Sequence, residues 1–468
     1  MARQGSTVGL DIGTSFVKAA RVAHDGTVEG IWTRPVTVTE WPDGRALMDP
    51  EAVRIEAESC LKAALDDSVE AIGLSSAMHS LLWVDARERP VTPASTWLDR
   101  SATQAAPAFR RAHPDWWART GTPPHPMAPV VRIWALHAAG KPYPGRPRAL
   151  KDWLVARWTG TPVTDFATAA AQGLLARSER SWDAAVLEAL ELDPADLPRV
   201  CEPATVVGRF EGVPLVVGTS DGAATQLGLG AVGPWGAVSL GTSGAARRLV
   251  ADAGQPVQTA GLFAYAVTGT LTLVGGALSD AGNLLEWWSR LTGIPVGSVL
   301  EEALEHGPPA DDLMVVPYLH GARAPYWDAR LSGQVVGLSA RHTRADLSAA
   351  VLDGILLSLA LVAEKLEMVL GPPEGFRAAG GLFQHAALAQ WTADVLERPV
   401  ALWAARDAAV AGAAALAREA LGWPPYPPHP EQLYLPRAGR SEATRRATLA
   451  AWAEAQRDRL AADRNGSA

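Results

Sequence analysis

The sequence predicts an α/β protein built as two similar domains, residues 1–231 and 232–468, facing each other across a central cleft. Three observations predict it. The stretch Val8-Gly9-Leu10-Asp11-Ile12-Gly13-Thr14-Ser15-Phe16-Val17-Lys18 reads as strand, tight turn and returning strand. Ala237-Val238-Ser239-Leu240-Gly241-Thr242-Ser243-Gly244-Ala245-Ala246-Arg247 repeats that pattern near the midpoint, and internal repetition fixes architecture. The chain has 468 residues, too many for a single core.

In the first copy, Val8 to Ile12 is a buried strand carrying one carboxylate, Asp11. An ionised group there is costly unless a cation or donors meet it. Gly13-Thr14-Ser15 lets the backbone turn and offers N–H groups and hydroxyls to an anion. A carboxylate suited to Mg²⁺ beside a turn suited to phosphate outlines a nucleotide site. The residues of one hairpin alone fit a polar surface turn equally well; the second copy favours phosphates clamped between two half-domains. There is no Walker A motif and no Rossmann fingerprint set between a strand and the helix it opens, so nucleotide binding rests on these turns.

Composition narrows the class. Hydrophobic residues make up 48% and charged residues 20%, as in globular proteins. A net charge of −8 with no long basic run argues against nucleic acid as a partner. Cys60 and Cys201, the only cysteines, give no zinc pattern and fit a reducing cytoplasm. The first strand begins at Val8, which leaves no room for a signal peptide ahead of it. The longest apolar run, around Ile355 to Ala363, is too short to span a bilayer, so no membrane partner is expected.

Along the chain, Val28 to Thr39 reads as a strand, and Asp49-Pro50-Glu51 starts a helix running to about Leu65. Ala71 to Ser75 is a buried strand leading to Met78-His79, which reads either as pocket lining or as a core Met and a satisfied His. In Thr96-Trp97-Leu98-Asp99-Arg100 the indole suits a sugar face and the Asp and Arg suit hydroxyls, although a buried Trp with a surface ion pair fits too. The Pro-rich loop from Arg119 to Pro129 carries His125 stiffly, as a recognition loop or as a connector. A short helix is expected over Ile133 to Ala139 and an amphipathic one over Trp182 to Leu190. Val213 to Ser220 is an apolar strand that delivers Asp221 at its carboxyl end, where a helix starts. That place suits a catalytic carboxylate and an N-cap equally.

In the second half, Leu271 to Asn283 gives a strand, a loop at Gly275-Gly276 and a helix reaching Leu291. A long helix follows from about Asp346 to Leu370. Gly380-Gly381 is a turn after the strand from Phe376, followed by Gln384 and His385; glycines there allow a ring or ribose close to the backbone. A small-residue helix spans Asp407 to Leu416. A Pro-rich connector from Pro424 to Pro436 and a terminal helix from Ser441 to Arg464, frayed beyond, close the chain.

Taken in order, these motifs resemble the FGGY carbohydrate kinases of the actin/hexokinase/Hsp70 superfamily, whose domains are actin/hexokinase-like, or ribonuclease H-like. The resemblance runs from Val8 to about Leu416. It implies ATP and Mg²⁺, with Gly13, Thr14, Ser15, Lys18, Gly241, Thr242 and Ser243 at the phosphates, Gly380, Gly381 and Gln384 at the adenosine and Asp11 at the metal. It implies Asp221 as catalytic base and Met78, His79, Trp97, Asp99, Arg100 and His125 as contacts to a small-molecule sugar or sugar acid. The Thr-Gly-Thr-Pro-x-His-Pro-Met stretch and Ser75-Ser76-Ala77-Met78-His79-Ser80-Leu81 are most similar to gluconate kinases. Xylulose kinase is the alternative within the family; a non-kinase ATP-binding protein of the same fold is the alternative outside it. Ala322 stands where the family's Gly-Glu-Arg-Ala-Pro segment has Glu, which leaves Arg323 without the ion pair that Glu would make. A monomer or homodimer is expected.

Overall fold

A computed structural model describes residues 5–465 except 252–253, 255, 311, 404–406, 427–430 and 438–441. Part of the expected Pro-rich connector (427–430), Ser441 at the head of the terminal helix and the end expected to fray (466–468) lie outside the described residues.

The first sheet holds β1 (Ser6–Ile12), β2 (Phe16–Ala23), β3 (Val28–Pro35), β4 (Val69–Ser76), β5 (Val206–Phe210) and β6 (Val213–Ser220), in the order β5-β6-β4-β1-β2-β3. The second holds β7 (Trp235–Leu240), β8 (Gly244–Ala251), β9 (Phe263–Ala266), β10 (Leu271–Leu278), β11 (Gly375–Ala379), β12 (Val400–Trp403) and β13 (Glu431–Tyr434), in the order β9-β10-β8-β7-β11-β12-β13. Set β9 aside, and the second order matches the first read from its β3 edge. Pairing directions match as well: β1 with β2 and β7 with β8 are antiparallel, β1 with β4 and β7 with β11 parallel. The repeat seen in two hairpins therefore extends to both whole sheets, and each sheet has its own large apolar core.

Helices that position the site are α1 (Pro50–Ala64), α2 (Pro129–Ala138), α3 (Phe166–Gln172), α4 (Asp221–Gly228), α5 (Gly282–Thr292), α6 (Arg344–Leu370) and α7 (Ala408–Ala420). Asp49 caps α1 by accepting from the Glu51 and Ala52 N–H groups, as the Asp-Pro-Glu signal predicts. A capping box of Thr343 and Asp346 starts α6. This helix is longer than the run from Ile355 to Ala363 suggests. By length and composition it suffices to cross a membrane, yet 83% of its most apolar window is buried inside the protein. It is apolar all round because it is a core helix.

Helix α7 comes from the second half of the chain but packs on the first sheet. A Cβ on Gly9 would stand 2.0 Å from the Val410 carbonyl oxygen, and one on Gly73 would stand 1.9 Å from that of Ala413. Only glycine permits this backbone-to-backbone approach. The start of α7 is thereby held beside the first hairpin.

Four expectations shift. The strand from Val28 stops at Pro35, whose ring cannot donate to a ladder. The helix expected from Ile133 starts at Pro129, a favourable first position. Trp182 lies in a short strand, and the next helix starts at Ala184 behind the Asp183 cap. Gly275-Gly276 is not a loop but lies inside β10, where a Cβ on Gly276 would meet Ala324 and Val362 at 2.6 Å.

Candidate active site

Strand ends and loops from both halves meet at one cavity. Met78, His79, Trp97, Asp221 and Ser243 line it together. Met127, Phe263, Arg247 and Arg323 complete much of the wall.

Asp221 sits at the carboxyl end of β6 and is the first residue of α4. Ser220 is the N-cap, with its Oγ accepting from the Ala223 N–H at 3.4 Å. Capping is therefore done by the neighbour, and the Asp221 carboxylate is left at the cavity, accepting from the Gly222 N–H at 2.7 Å. Burial raises its pKa; the Arg247 charge and the backbone N–H groups of Gly222 and Met78 oppose that rise.

Asp11 is the one position of β1 that is not fully buried apart from the strand's apolar run. It lies opposite Lys18 on β2 and Ser75 on β4, and the Ser75 hydroxyl donates to Oδ1 at 2.7 Å. Burial pushes its pKa up to about 6, aided by repulsion from Asp221 and Asp407 and opposed by Ser75 and Lys18. No group of three or more His, Cys, Asp or Glu side chains is arranged to hold a metal among the described residues. One under-compensated carboxylate beside a phosphate-sized turn still fits Mg²⁺, which takes one or two carboxylates and fills its shell with phosphate oxygens and water. Lys18 donates to Asp407 at 2.5 Å, so its ammonium is held by a carboxylate at the head of α7.

In both turns the leading glycine N–H braces the turn, to a carbonyl three residues on in the first and two residues on in the second. Gly13 N–H donates to the Phe16 carbonyl at 3.0 Å, and Gly241 N–H to that of Ser243 at 2.9 Å. Thr14, Ser15, Thr242 and Ser243 stay partly or fully exposed. The N–H groups of Gly282 and Asn283 fasten the second turn to α5, at 2.8 and 3.1 Å from the Gly241 and Thr242 carbonyls. Gly380, at φ 105°, passes so close to β7 that a Cβ would stand 2.2 Å from the Leu240 carbonyl oxygen. Gly380, Gly381 and Gln384 thus form an exposed rim beside the second turn.

His79 has a left-handed backbone, φ 66°, unusual for a residue with a side chain. Its Nδ1 lies 2.8 Å from the Ala171 carbonyl, which can only accept, so Nδ1 carries the proton and Nε2 is an acceptor. Burial lowers its pKa to about 3, keeping the ring neutral. His125 is also buried and neutral, with its pKa lowered to about 3. It does not line the cavity: Nδ1 accepts from the Met127 N–H at 3.3 Å and the ring meets Trp327 edge-on at 5.8 Å. Asp99 is turned into its own loop, accepting from the Ala46 N–H at 3.2 Å and from Ser101 N–H and Oγ–H at 3.0 and 2.5 Å. Arg100 is exposed, and neither residue lines the cavity.

Two arginines at the cavity were not among the expected site residues. Arg247 donates from Nη1 to Ser239 Oγ at 3.2 Å, and Arg323 donates from Nη2 to the Leu278 carbonyl. The Arg323 guanidinium stacks 4.7 Å from the Trp97 ring centre, and burial lowers its pKa to about 10. The Nε of each arginine, and the buried Tyr265 hydroxyl near both, have no hydrogen-bond partner among the described residues. Strand alternation gives a signal for Arg247, which lies two residues beyond Ala245 on β8, in line with the Ser243 end of the turn. Arg323 gave none beyond the motif that Ala322 interrupts.

Residues 6–228 match the N-terminal domain, and residues 236–421 the C-terminal domain, of the FGGY family of carbohydrate kinases. A gluconokinase of Bacillus licheniformis is 28% identical over 457 residues, covering 89% of this chain and 87% of the relative. A xylulose kinase of Streptomyces coelicolor is 31% identical over 442 residues, covering 88% and 87%. The crystal structure of ligand-bound xylulose kinase from Lactobacillus acidophilus superposes with a TM-score of 0.88 at 25% identity, covering 99% of this chain and 100% of that one.

Proposed function

From the premise that the chain belongs to the FGGY family of carbohydrate kinases, we propose that it phosphorylates a primary hydroxyl of a sugar acid, D-gluconate to 6-phosphogluconate, with ATP as donor. One observation carries the acid over a neutral sugar. Two guanidiniums, those of the half-buried Arg247 and the buried Arg323, face a cavity whose lining offers a single carboxylate, Asp221. Asp280 behind the cavity wall and Asp221 within it face the Arg323 charge, and Asp221 faces Arg247; a ligand carboxylate adds charge-assisted hydrogen bonds to the guanidinium edges that line the cavity. Xylulose is the second reading, favoured by the Streptomyces coelicolor relative.

In this reading Asp221 accepts the proton as the hydroxyl oxygen bonds to the γ-phosphorus and ADP departs. Phosphoryl transfer asks mainly for positioning and charge stabilisation. His79 Nε2 accepts from a sugar hydroxyl, and Trp97 covers a C–H face. The Gly13-Thr14-Ser15 and Gly241-Thr242-Ser243 turns donate to phosphate oxygens from two sides, with Gly380, Gly381 and Gln384 bordering the adenosine. Asp11 would hold Mg²⁺, which when bound offsets phosphate charge. Asp99, Arg100 and His125 support the loops around the sugar, and Lys18 orders Asp407. A cytoplasmic site of action suits two buried, unbridged cysteines, Cys60 and Cys201.

An ADP-release assay with gluconate, xylulose, glycerol and no sugar tests the reading. Gluconate is expected to exceed xylulose in kcat/KM by at least about 100-fold, the discrimination open to a site whose buried polar groups the wrong ligand leaves unpaired. Efficient turnover of xylulose without turnover of gluconate overturns it.

A further inference from the structure

We infer that Arg132, on α2, is a positioning residue that fixes the sugar-facing loops as one unit. The sequence pattern gives Arg132 no role: it sits on an apolar helix, and its side chain is 8% exposed. Its guanidinium donates to four acceptors. Nη1 reaches Ser95 Oγ at 2.5 Å and the Thr96 carbonyl at 3.3 Å. Nη2 reaches the His79 carbonyl at 2.5 Å and the Met127 carbonyl at 2.9 Å.

Those acceptors belong to three separate loops, and each loop supplies the cavity with a wall: His79 with Met78, Trp97 next to Thr96, and Met127. One planar group with fixed donor directions therefore sets the distances between the walls. The His79 contact has a particular consequence. The left-handed backbone of His79 persists because surrounding groups over-determine it. Arg132 holds its carbonyl and Ala171 holds its ring Nδ1, so Nε2 keeps one direction. Asp99 adds its charge within electrostatic reach of Arg132, which gives that buried carboxylate a purpose other than touching sugar. Arg132 touches no reacting atom; it acts through His79, Trp97 and Met127.

The inference rests on the sugar-kinase reading. If that reading fails, wild type shows no sugar-stimulated ADP release, which is seen before any variant is compared. Given stimulation by gluconate, Arg132→Lys tests the clamp, because one ammonium cannot span four acceptors. KM for gluconate is expected to rise at least about tenfold, the scale for losing hydrogen bonds from a charged donor. KM for ATP and sugar-free ATP hydrolysis are expected to stay within about twofold, because the nucleotide elements lie outside the clamp. His79→Asn combined with Arg132→Lys is expected to cost less than the product of the two single effects. An unchanged gluconate KM, or equal damage to the ATP parameters, overturns the role. If Arg132→Lys does not fold, Ser95→Ala removes one acceptor at a half-buried site; a rise in gluconate KM of about threefold supports the clamp and no change overturns it.

Discussion

Asp221→Asn is expected to lower gluconate-dependent turnover by about 10²–10⁴-fold, the range supplied by a positioned general base. KM for either substrate should change little, because Asn keeps the shape of the side chain and Ser220, not Asp221, caps α4. Ser220→Ala is the contrast: loss of that cap removes about 1 kcal/mol of stability while leaving the base in place. The pH profile adds a check. Burial raises the Asp221 pKa, so the ionised base is lost, and turnover falls, as pH drops through that raised value. His79 and His125 titrate near 3 and stay neutral, so neither adds a histidine limb between pH 5 and 8. Steady-state ADP release across pH reads both effects. Asp221→Asn turnover within a few-fold of wild type would remove the base.

Asp11→Asn is expected to stabilise the nucleotide-free protein at neutral pH and to cripple it as a kinase. The folded pKa of Asp11 is raised from 3.8 to about 6. The folded state thus binds this proton more tightly than the unfolded state does. Its stabilising effect is complete below the unfolded value and is lost as pH rises through about 6. Above that, an ionised Asp11 disfavours the fold by on the order of 3 kcal/mol, an energy that cation binding recovers. Asn has no such proton. Thermal unfolding without nucleotide should therefore give the variant a midpoint higher than wild type at pH 7.5, the two converging near pH 4, while turnover falls at least about 100-fold. Parallel pH curves for the two proteins would show that Asp11 carries no buried charge.

What the sequence made legible was local. The two hairpins, the strand that ends at Asp221 and the Met78-His79 turn each lie within a dozen residues, and each reads through strand period and turn chemistry. The repeat of sheet order follows from the hairpins, because each opens a sheet. The rest is tertiary. Asp99 offers the chemistry of a hydroxyl ligand, but its acceptor oxygens are used by backbone N–H groups that only the folded loop brings near. Lys18 faces Asp11 across the hairpin, yet its carboxylate partner, Asp407, lies 389 positions away. Arg323 loses weight when its motif lacks a glutamate, although its actual surroundings are the Trp97 ring and the Leu278 carbonyl. Arg132 sits on a helix whose apolar pattern reads as core, and burial hides its part in holding loops. Guanidiniums sit at the end of long flexible stems, so their partners are set by packing and not by sequence spacing.

The central claim is that the cavity guanidiniums read an acid group on the sugar. The ratio of kcat/KM for gluconate to that for xylulose, measured in wild type and in Arg323→Gln, tests it directly. Loss of general packing would lower both terms and leave the ratio alone. A collapse of the ratio by at least about tenfold is the predicted result; an unchanged ratio, with both sugars equally impaired, would contradict it.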